Sequence, residues 1–293
     1  MIRADTMINP GFSRLLDSRD LTGFEALWKF PGTWVEEPNQ RRNGWSGVKR
    51  LQTDGQGSYY LKFLHNHCRR TFRHPLPHST AYFEFRNYIR LKRRGIPVPE
   101  VVYFSEQQDR GGNRAILATR GLDDYQMLSP WLDENADRHS GSTTGSVLDS
   151  VSAALFRFHA GGFQHRSLYS KHVFVSRVPL TGFGQPPVRL IDFEYLRVCR
   201  LQKCRAAARD IYQLLYSLHP DHRVSGTRLL SAYLREFTSE TNRQQFLGFL
   251  QYWARRKSCD REFDRDLADF IATHPPRGGL PPKKSIGAIH DCH

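Results

Sequence analysis

Apolar residues recur with two different periods along this chain, and the change of period divides it. Up to Gly121 the signal is short runs bounded by turn residues. Residues 33–37 read as a strand, the polar run 39–47 as a turn, and 48–51 as a short strand. After the turn at 53–57, residues 58–64 are dense in aromatic and apolar side chains, as a buried strand should be. Ser79 or Thr80 then caps a helix that carries Tyr82, Phe85 and Ile89 on one face and stops at Gly95, with Pro97 and Pro99 beyond. Residues 101–105 and 114–119 form a hairpin around Asp109-Arg110-Gly111-Gly112-Asn113.

Beyond Gly121 the helical period takes over. Val147, Leu148, Val151, Leu155 and Phe158 fall on one helical face, which Gly161-Gly162 ends. Two short apolar strands follow at 173–175 and 188–191, with a Gly/Pro-rich turn at 179–187 between them. Residues 206–218, 227–237, 246–253 and 263–271 read as helices, and 274–293 as a loose tail. A strand-rich lobe followed by a helical lobe with a hairpin at its start is an α+β arrangement with a cleft between the two. The boundaries this gives are an extension over 1–30, a small β-rich N-lobe over 31–121, a larger helical C-lobe over 122–273 and the tail.

Composition narrows the class. With 39% apolar and 12% aromatic residues in 293, the chain has ample material for a core and is not disordered. No run approaches the ~18 apolar residues of a membrane span, and the first residues lack the apolar stretch of a signal peptide, so a cytoplasmic protein is expected. The five cysteines (68, 199, 204, 259 and 292) have no metal-knuckle or redox spacing and read as reduced thiols. A formal net charge of +14 at pH 7 calls for anionic company: nucleic acid, a membrane surface or an acidic small molecule.

The hairpin of the second lobe carries the chemistry. It opens on His165-Arg166-Ser167-Leu168-Tyr169-Ser170-Lys171-His172, and its far strand ends in Ile191-Asp192-Phe193-Glu194. Polar clusters at the ends of neighbouring apolar strands can bring Asp192 beside His172 to hold a divalent cation, which phosphoryl transfer needs.

These segments, together with residues 37–48, Leu61-Lys62 and Arg209-Asp210, resemble the lipopolysaccharide kinases of protein-kinase-like fold, the WaaP/InaA group, and most closely its InaA branch. The resemblance runs from about Trp34 to about Ser217 and implies a bilobal protein-kinase-like fold that binds ATP and Mg²⁺. It implies that Lys62 binds the α- and β-phosphates, with Glu84 as its ion-pair partner; an edge-strand lysine and a solvated helix glutamate are the plain alternatives. Gly44, Ser46 and Gly47 stand where the family has its phosphate-covering turn, an ordinary hairpin turn being the equal alternative. Ala118 and Thr119 would belong to the inter-lobe segment whose backbone meets adenine. Asp192 and His172 would be the metal ligands, although a hydrogen-bonded structural histidine fits the latter equally. His165 and Asp210 would brace the catalytic loop.

One departure outweighs the matches. Where kinases read His-Arg-Asp, this chain reads His165-Arg166-Ser167, a change common in the branch it resembles. A serine hydroxyl is no base near neutral pH without an activating partner. Ser167, Glu194 and Lys171 are the candidate catalytic residues, and three readings stay open: another carboxylate, Glu194 first, supplies the base; transfer proceeds by positioning alone; or the protein binds nucleotide without catalysis, as a pseudokinase regulator in an envelope or stress response. The resemblance and the charge together imply ATP and an anionic lipopolysaccharide core or precursor as partners, with peripheral contact at an anionic inner-membrane surface and no specific nucleic acid.

Overall fold

The computed structural model describes residues 6–41, 44–55, 57–71, 74–109, 111–135, 142–177, 188–257 and 261–273. The sequence readings at Arg42 and Asn43, in the turn 179–187 and in the tail 274–293 lie outside the described residues.

The chain opens with β1 (Met7–Ile8), α1 (Pro10–Asp17) and α2 (Phe24–Trp28), followed by β2 (Trp34–Arg41), β3 (Gly44–Thr53) and β4 (Gly57–His65). A small hairpin of β5 (Cys68–Thr71) and β6 (His74–Ser79) leads to α3 (Thr80–Arg93), then β7 (Val101–Asp109) and β8 (Gly112–Arg120). Six of these strands form one antiparallel sheet in the order β1-β7-β8-β4-β3-β2. Alternation along β4 decides what covers each face. Tyr59, Leu61 and Phe63 point to the outer face, where Phe12, Leu16, Phe24 and Leu27 of the two N-terminal helices bury them. Residues 6–30 therefore pack onto this sheet. Leu64 points to the inner face, against α3, in the same core as the second lobe.

Helix α3 forms where its cap predicts. The Ser79 hydroxyl accepts from the Tyr82 N–H at 3.2 Å, and the chain leaves the helix through Gly95 at φ +67°. The polar run 39–47, expected as a turn, is instead mostly strand. β3 is paired on both sides, to β2 and to β4, so its backbone hydrogen bonds outweigh the polar composition. The β5–β6 hairpin went unread because Pro75 and Pro77 mask it.

The second lobe holds β9 (Tyr125–Met127), α4 (Leu128–Glu134), α5 (Ser142–Ala160), β10 (Phe163–Gln164), β11 (Val173–Ser176), β12 (Val188–Leu190) and β13 (Arg197–Val198). Helices α6 (Lys203–Tyr216), α7 (Arg223–Arg235), α8 (Glu240–Lys257) and α9 (Arg261–Thr273) complete it. β11 pairs antiparallel with β12, as the two apolar runs predict, and on its other side with β9, which the sequence did not signal. Leu155, Phe158, Ile211, Leu229, Tyr233 and Phe246 form the helical core. The result is the bilobal α+β architecture expected, with α3 of the first lobe touching the end of β12 of the second: the Asn87 amide donates to the Phe193 carbonyl at 2.8 Å.

Candidate active site

Lys62 stands on the inner face of β4, opposite Val48 of β3 and Leu117 of β8. Its Nζ lies 2.8 Å from Glu84 Oε2 on α3, 3.6 Å from Glu194 Oε2 and 3.7 Å from Asp192 Oδ1. Burial alone would lower the Lys62 pKa, but the charges of these three carboxylates outweigh it and hold the ammonium well above its ordinary value. Glu84 feels the opposite balance. Burial pushes its carboxyl up to about 7, with Lys62 resisting and Asp192 and Glu194 adding to the rise. One cation thus holds together three carboxylates drawn from both lobes, and the crowding of negative charge around it is what a further cation would relieve.

The loop after β10 is held from below. Asp210, fully buried on α6, accepts the His165 N–H at 2.5 Å and the Arg166 N–H at 3.0 Å. These bonds keep Arg166 at φ +72°, a left-handed conformation that costs a non-glycine residue about 1 kcal/mol or more. The His165 Nε2–H donates to the Ile191 carbonyl at 2.8 Å, and the Ile191 N–H donates to the His172 carbonyl at 3.1 Å, so the two polar clusters are tied together. Asp192 itself is at φ +63°, its N–H 3.4 Å from the Tyr88 hydroxyl of α3. Two strained non-glycine residues face one cleft, which is where strain is tolerated for function.

A single loss should expose that support. Asp210→Ala strands the buried His165 N–H and the part-buried Arg166 N–H, and a buried donor left unpaired costs roughly 1–3 kcal/mol, so stability should fall by about 2 kcal/mol. Urea unfolding would read it as a lower midpoint with unchanged slope, and Asp210→Asn, which keeps one acceptor, should fall less.

His172 and Asp192 form the part of the site suited to a metal. The His172 Nδ1–H donates to the Ser167 carbonyl at 2.7 Å, which leaves the Nε2 lone pair 3.4 Å from Asp192 Oδ2. Burial lowers the His172 pKa, although Asp192 pulls the other way. Burial would raise the Asp192 pKa, but Lys62, His172, His165 and Lys171 hold it below the usual carboxylate range. With Nδ1–H spent on the Ser167 carbonyl, the neutral ring offers Nε2 as an acceptor beside the Asp192 carboxylate, a pair of ligand atoms that a divalent cation satisfies. Among the described residues no third His, Cys, Asp or Glu joins them in a metal-holding group. A Mg²⁺ ion held by two protein ligands keeps its remaining positions for water and phosphate oxygens.

The structure brings Lys62, Glu84, Asp192, Glu194, His172, His165 and Asp210 to one place, with Ser167 joined to it through His172 and half-buried. Lys171 is exposed, close enough for its charge to act on Asp192. Glu194 turns one oxygen to Lys62 and buries the other, Oε1, without a partner.

Other expected residues sit differently. Gly44, Ser46 and Gly47 lie in strand β3 and not in a turn. A Cβ on Gly44 would come within 2.5 Å of the Asn66 backbone, and one on Gly47 within 2.8 Å of the Trp34 ring, so close packing explains both glycines. Ala118 and Thr119 are also strand residues. β8 is paired on both sides, to β4 and to β7, so these backbones are spent on the sheet. The chain leaves the sheet only after Arg120, where the Gly121 N–H donates to the Ser58 carbonyl, and residues 121–124 join the lobes. Reading by order along the chain had missed Arg69, Asn87, Tyr88 and Tyr195. Asn87 and Tyr88 follow Glu84 at i+3 and i+4, the one signal that put them on the cleft face of α3. Arg69 lies over Phe83 at 4.2 Å and 5.7 Å from the Tyr195 ring, bridging the β5–β6 hairpin to the segment after Asp192.

Comparison with known proteins bears on the family and the fold. The profile described as the lipopolysaccharide kinase (Kdo/WaaP) family matches residues 25–251. Protein InaA of Escherichia coli (strain K12) is 30% identical over 198 residues, which are 67% of this chain and 88% of that one. A solved structure described as WaaP in complex with acyl carrier protein superposes with a TM-score of 0.59 at 19% identity, covering 90% of this chain and 98% of that one.

Proposed function

The chain belongs to the lipopolysaccharide kinase (Kdo/WaaP) family, and from that premise we propose that it binds Mg²⁺–ATP between its lobes and transfers the γ-phosphate to a sugar hydroxyl of an anionic lipopolysaccharide core or precursor at the cytoplasmic face of a membrane. The observation that carries the reading is the Lys62 cluster: a cation on the N-lobe sheet, paired with Glu84 at 2.8 Å, facing Asp192 of the C-lobe at 3.7 Å. Phosphoryl transfer asks the protein mainly for positioning and charge. When bound, Mg²⁺ would neutralise the phosphates from Asp192 and the His172 Nε2. Lys62 would then exchange part of its contact with the C-lobe carboxylates for phosphate oxygens, with Glu84 holding it in place. Asp210 keeps the catalytic loop in its strained form, and the Ser167 carbonyl accepts from His172, so the backbone of Ser167 is held beside the proposed metal ligands.

One observation favours a second reading, that of a nucleotide-binding regulator with weak or no turnover. Ser167 offers no proton acceptor, and Glu194 is engaged by Lys62. A thermal-shift panel of ATP, ADP and GTP, each with and without Mg²⁺, tests the shared premise. Metal-dependent stabilisation by adenine nucleotides is the expected result, about 2.7 kcal/mol at a hundredfold excess over Kd. No response to any nucleotide would overturn both readings; a response without phosphate transfer to any precursor would favour the regulator.

A further inference from the structure

The stretch Tyr195 to Arg205 contains four cationic residues (Arg197, Arg200, Lys203 and Arg205) and no acidic one. In its middle stands Leu201, 98% exposed, with Val198 beside it at 42%. A leucine so exposed is common at a loose chain end, but this loop is anchored. β13 pairs with β10 in the register Gln164↔Arg197, the Cys199 N–H donates to the Gly162 carbonyl at 2.7 Å, and Lys203 Nζ caps the Ala160 carbonyl at 2.7 Å. The leucine is therefore held out into solvent by ordered backbone.

The arginines around it are unmatched. Elsewhere on this lobe Arg223 pairs with Glu262 and Asp266, and Arg235 with Asp149. Among the described residues no carboxylate lies within ion-pair distance of Arg197, Arg200 or Arg205. The chain's own tail is an unsuitable cover, because residues 274–284 add Arg277, Lys283 and Lys284 to the same charge. A protein partner normally needs ~800 Å² of complementary surface with aromatic anchors. Two exposed aliphatic side chains in one short basic stretch with the exposed Arg197 and Arg200 suit the lipid interface better, where the apolar tip enters the acyl boundary and the cations meet phosphates.

We propose that the loop from Tyr195 to Arg205 is a membrane-contact site: Leu201 and Val198 insert into an anionic bilayer surface while Arg197, Arg200 and Arg205 pair with lipid phosphates. β10, to which the loop is paired, runs directly into His165-Arg166-Ser167. The contact would thus set the catalytic loop against the surface that carries a lipid-linked acceptor. That last consequence rests on the kinase-like reading, whereas the lipid contact itself does not. No helix among the described residues is long and apolar enough to cross a membrane, so the contact is peripheral.

Co-sedimentation of the full chain with phosphatidylcholine vesicles, with and without about a third phosphatidylglycerol, tests it. Binding to the anionic vesicles should exceed binding to the neutral ones and fade at ~1 M salt, where the screening length is ~3 Å. Leu201→Asp should weaken that binding roughly tenfold by removing the apolar anchor. The pair Arg197→Gln and Arg200→Gln should weaken it roughly fivefold per charge removed. Because these side chains are exposed, melting temperature and nucleotide response should stay as in the wild type, which separates this result from failure of the kinase reading. Equal binding to both vesicle types, or undiminished anionic binding by the variants, overturns the proposal. So does indifference to vesicles combined with loop-dependent binding of a soluble acidic protein.

Discussion

Lys62→Met is expected to abolish nucleotide-dependent stabilisation and also to lower the melting temperature of the free protein by about 10 °C. The second effect follows from the company the lysine keeps. Removing it leaves Glu84, Asp192 and Glu194 gathered around an uncharged side chain. Breaking a buried pair in this way costs about 3–5 kcal/mol, and a kcal/mol is worth ~2–4 °C in a chain of this size.

The pH dependence gives the cause away. Glu84 already has a folded pKa raised to about 7 by burial, so its neutral form favours the fold. A raised carboxyl contributes stability below its unfolded pKa, and that contribution is lost as pH rises through the folded value. Without Lys62 the Glu84 pKa rises further. The variant should therefore approach the wild type near pH 5 and fall furthest behind it near pH 8. Adding Glu84→Gln should recover part of the lost stability and none of the nucleotide response. A variant that melts with the wild type at every pH, or that still responds to Mg²⁺–ATP, would show that Lys62 is not the centre of the site.

Ser167→Asp is expected to raise ATP hydrolysis or transfer by ~10²–10⁴, the usual worth of a positioned general base, while nucleotide affinity stays nearly unchanged. The Ser167 carbonyl already accepts from His172, and Asp210 fixes the residue before it, so the new carboxylate would project from a backbone that is held in place. Rates would be read with a lipopolysaccharide precursor as acceptor and with water alone. If the wild type already turns over at ordinary kinase rates and Ser167→Ala does too, another group is the base, and Glu194 is the next to replace. If neither wild type nor Ser167→Asp transfers phosphate, the regulator reading stands.

The chemistry of the site was legible because it is local in sequence. Lys62 lies inside an apolar run, Ser79 and Gly95 bracket the helix that carries Glu84, and Asp192 ends an apolar strand. Each of these is a short-range pattern with a physical cause, and the resemblance to the lipopolysaccharide kinases rests on their order. The turn expected at 39–47 differs for another reason. Gly44, Ser46 and Gly47 look like a turn because their composition is polar and glycine-rich, yet strands from both sides claim their backbone. Ala118 and Thr119, read as strand residues, are strand residues, and pairing to β4 and β7 carries β8 one residue further, to Arg120.

By itself, then, the sequence determined which segments are strands and helices wherever side-chain period and caps act within a few residues, and it determined the order of the charged groups. Only the tertiary structure decided what those groups do to one another. Three carboxylates 22 to 132 residues from Lys62 converge on one ammonium, and that convergence raises Glu84 while it holds Asp192 low. It also decided that Leu201, an unremarkable leucine in a basic run, is the residue the fold leaves in water. Pairing between distant strands and the shared burial of distant charges depend on closing long loops, and no local pattern encodes that free energy.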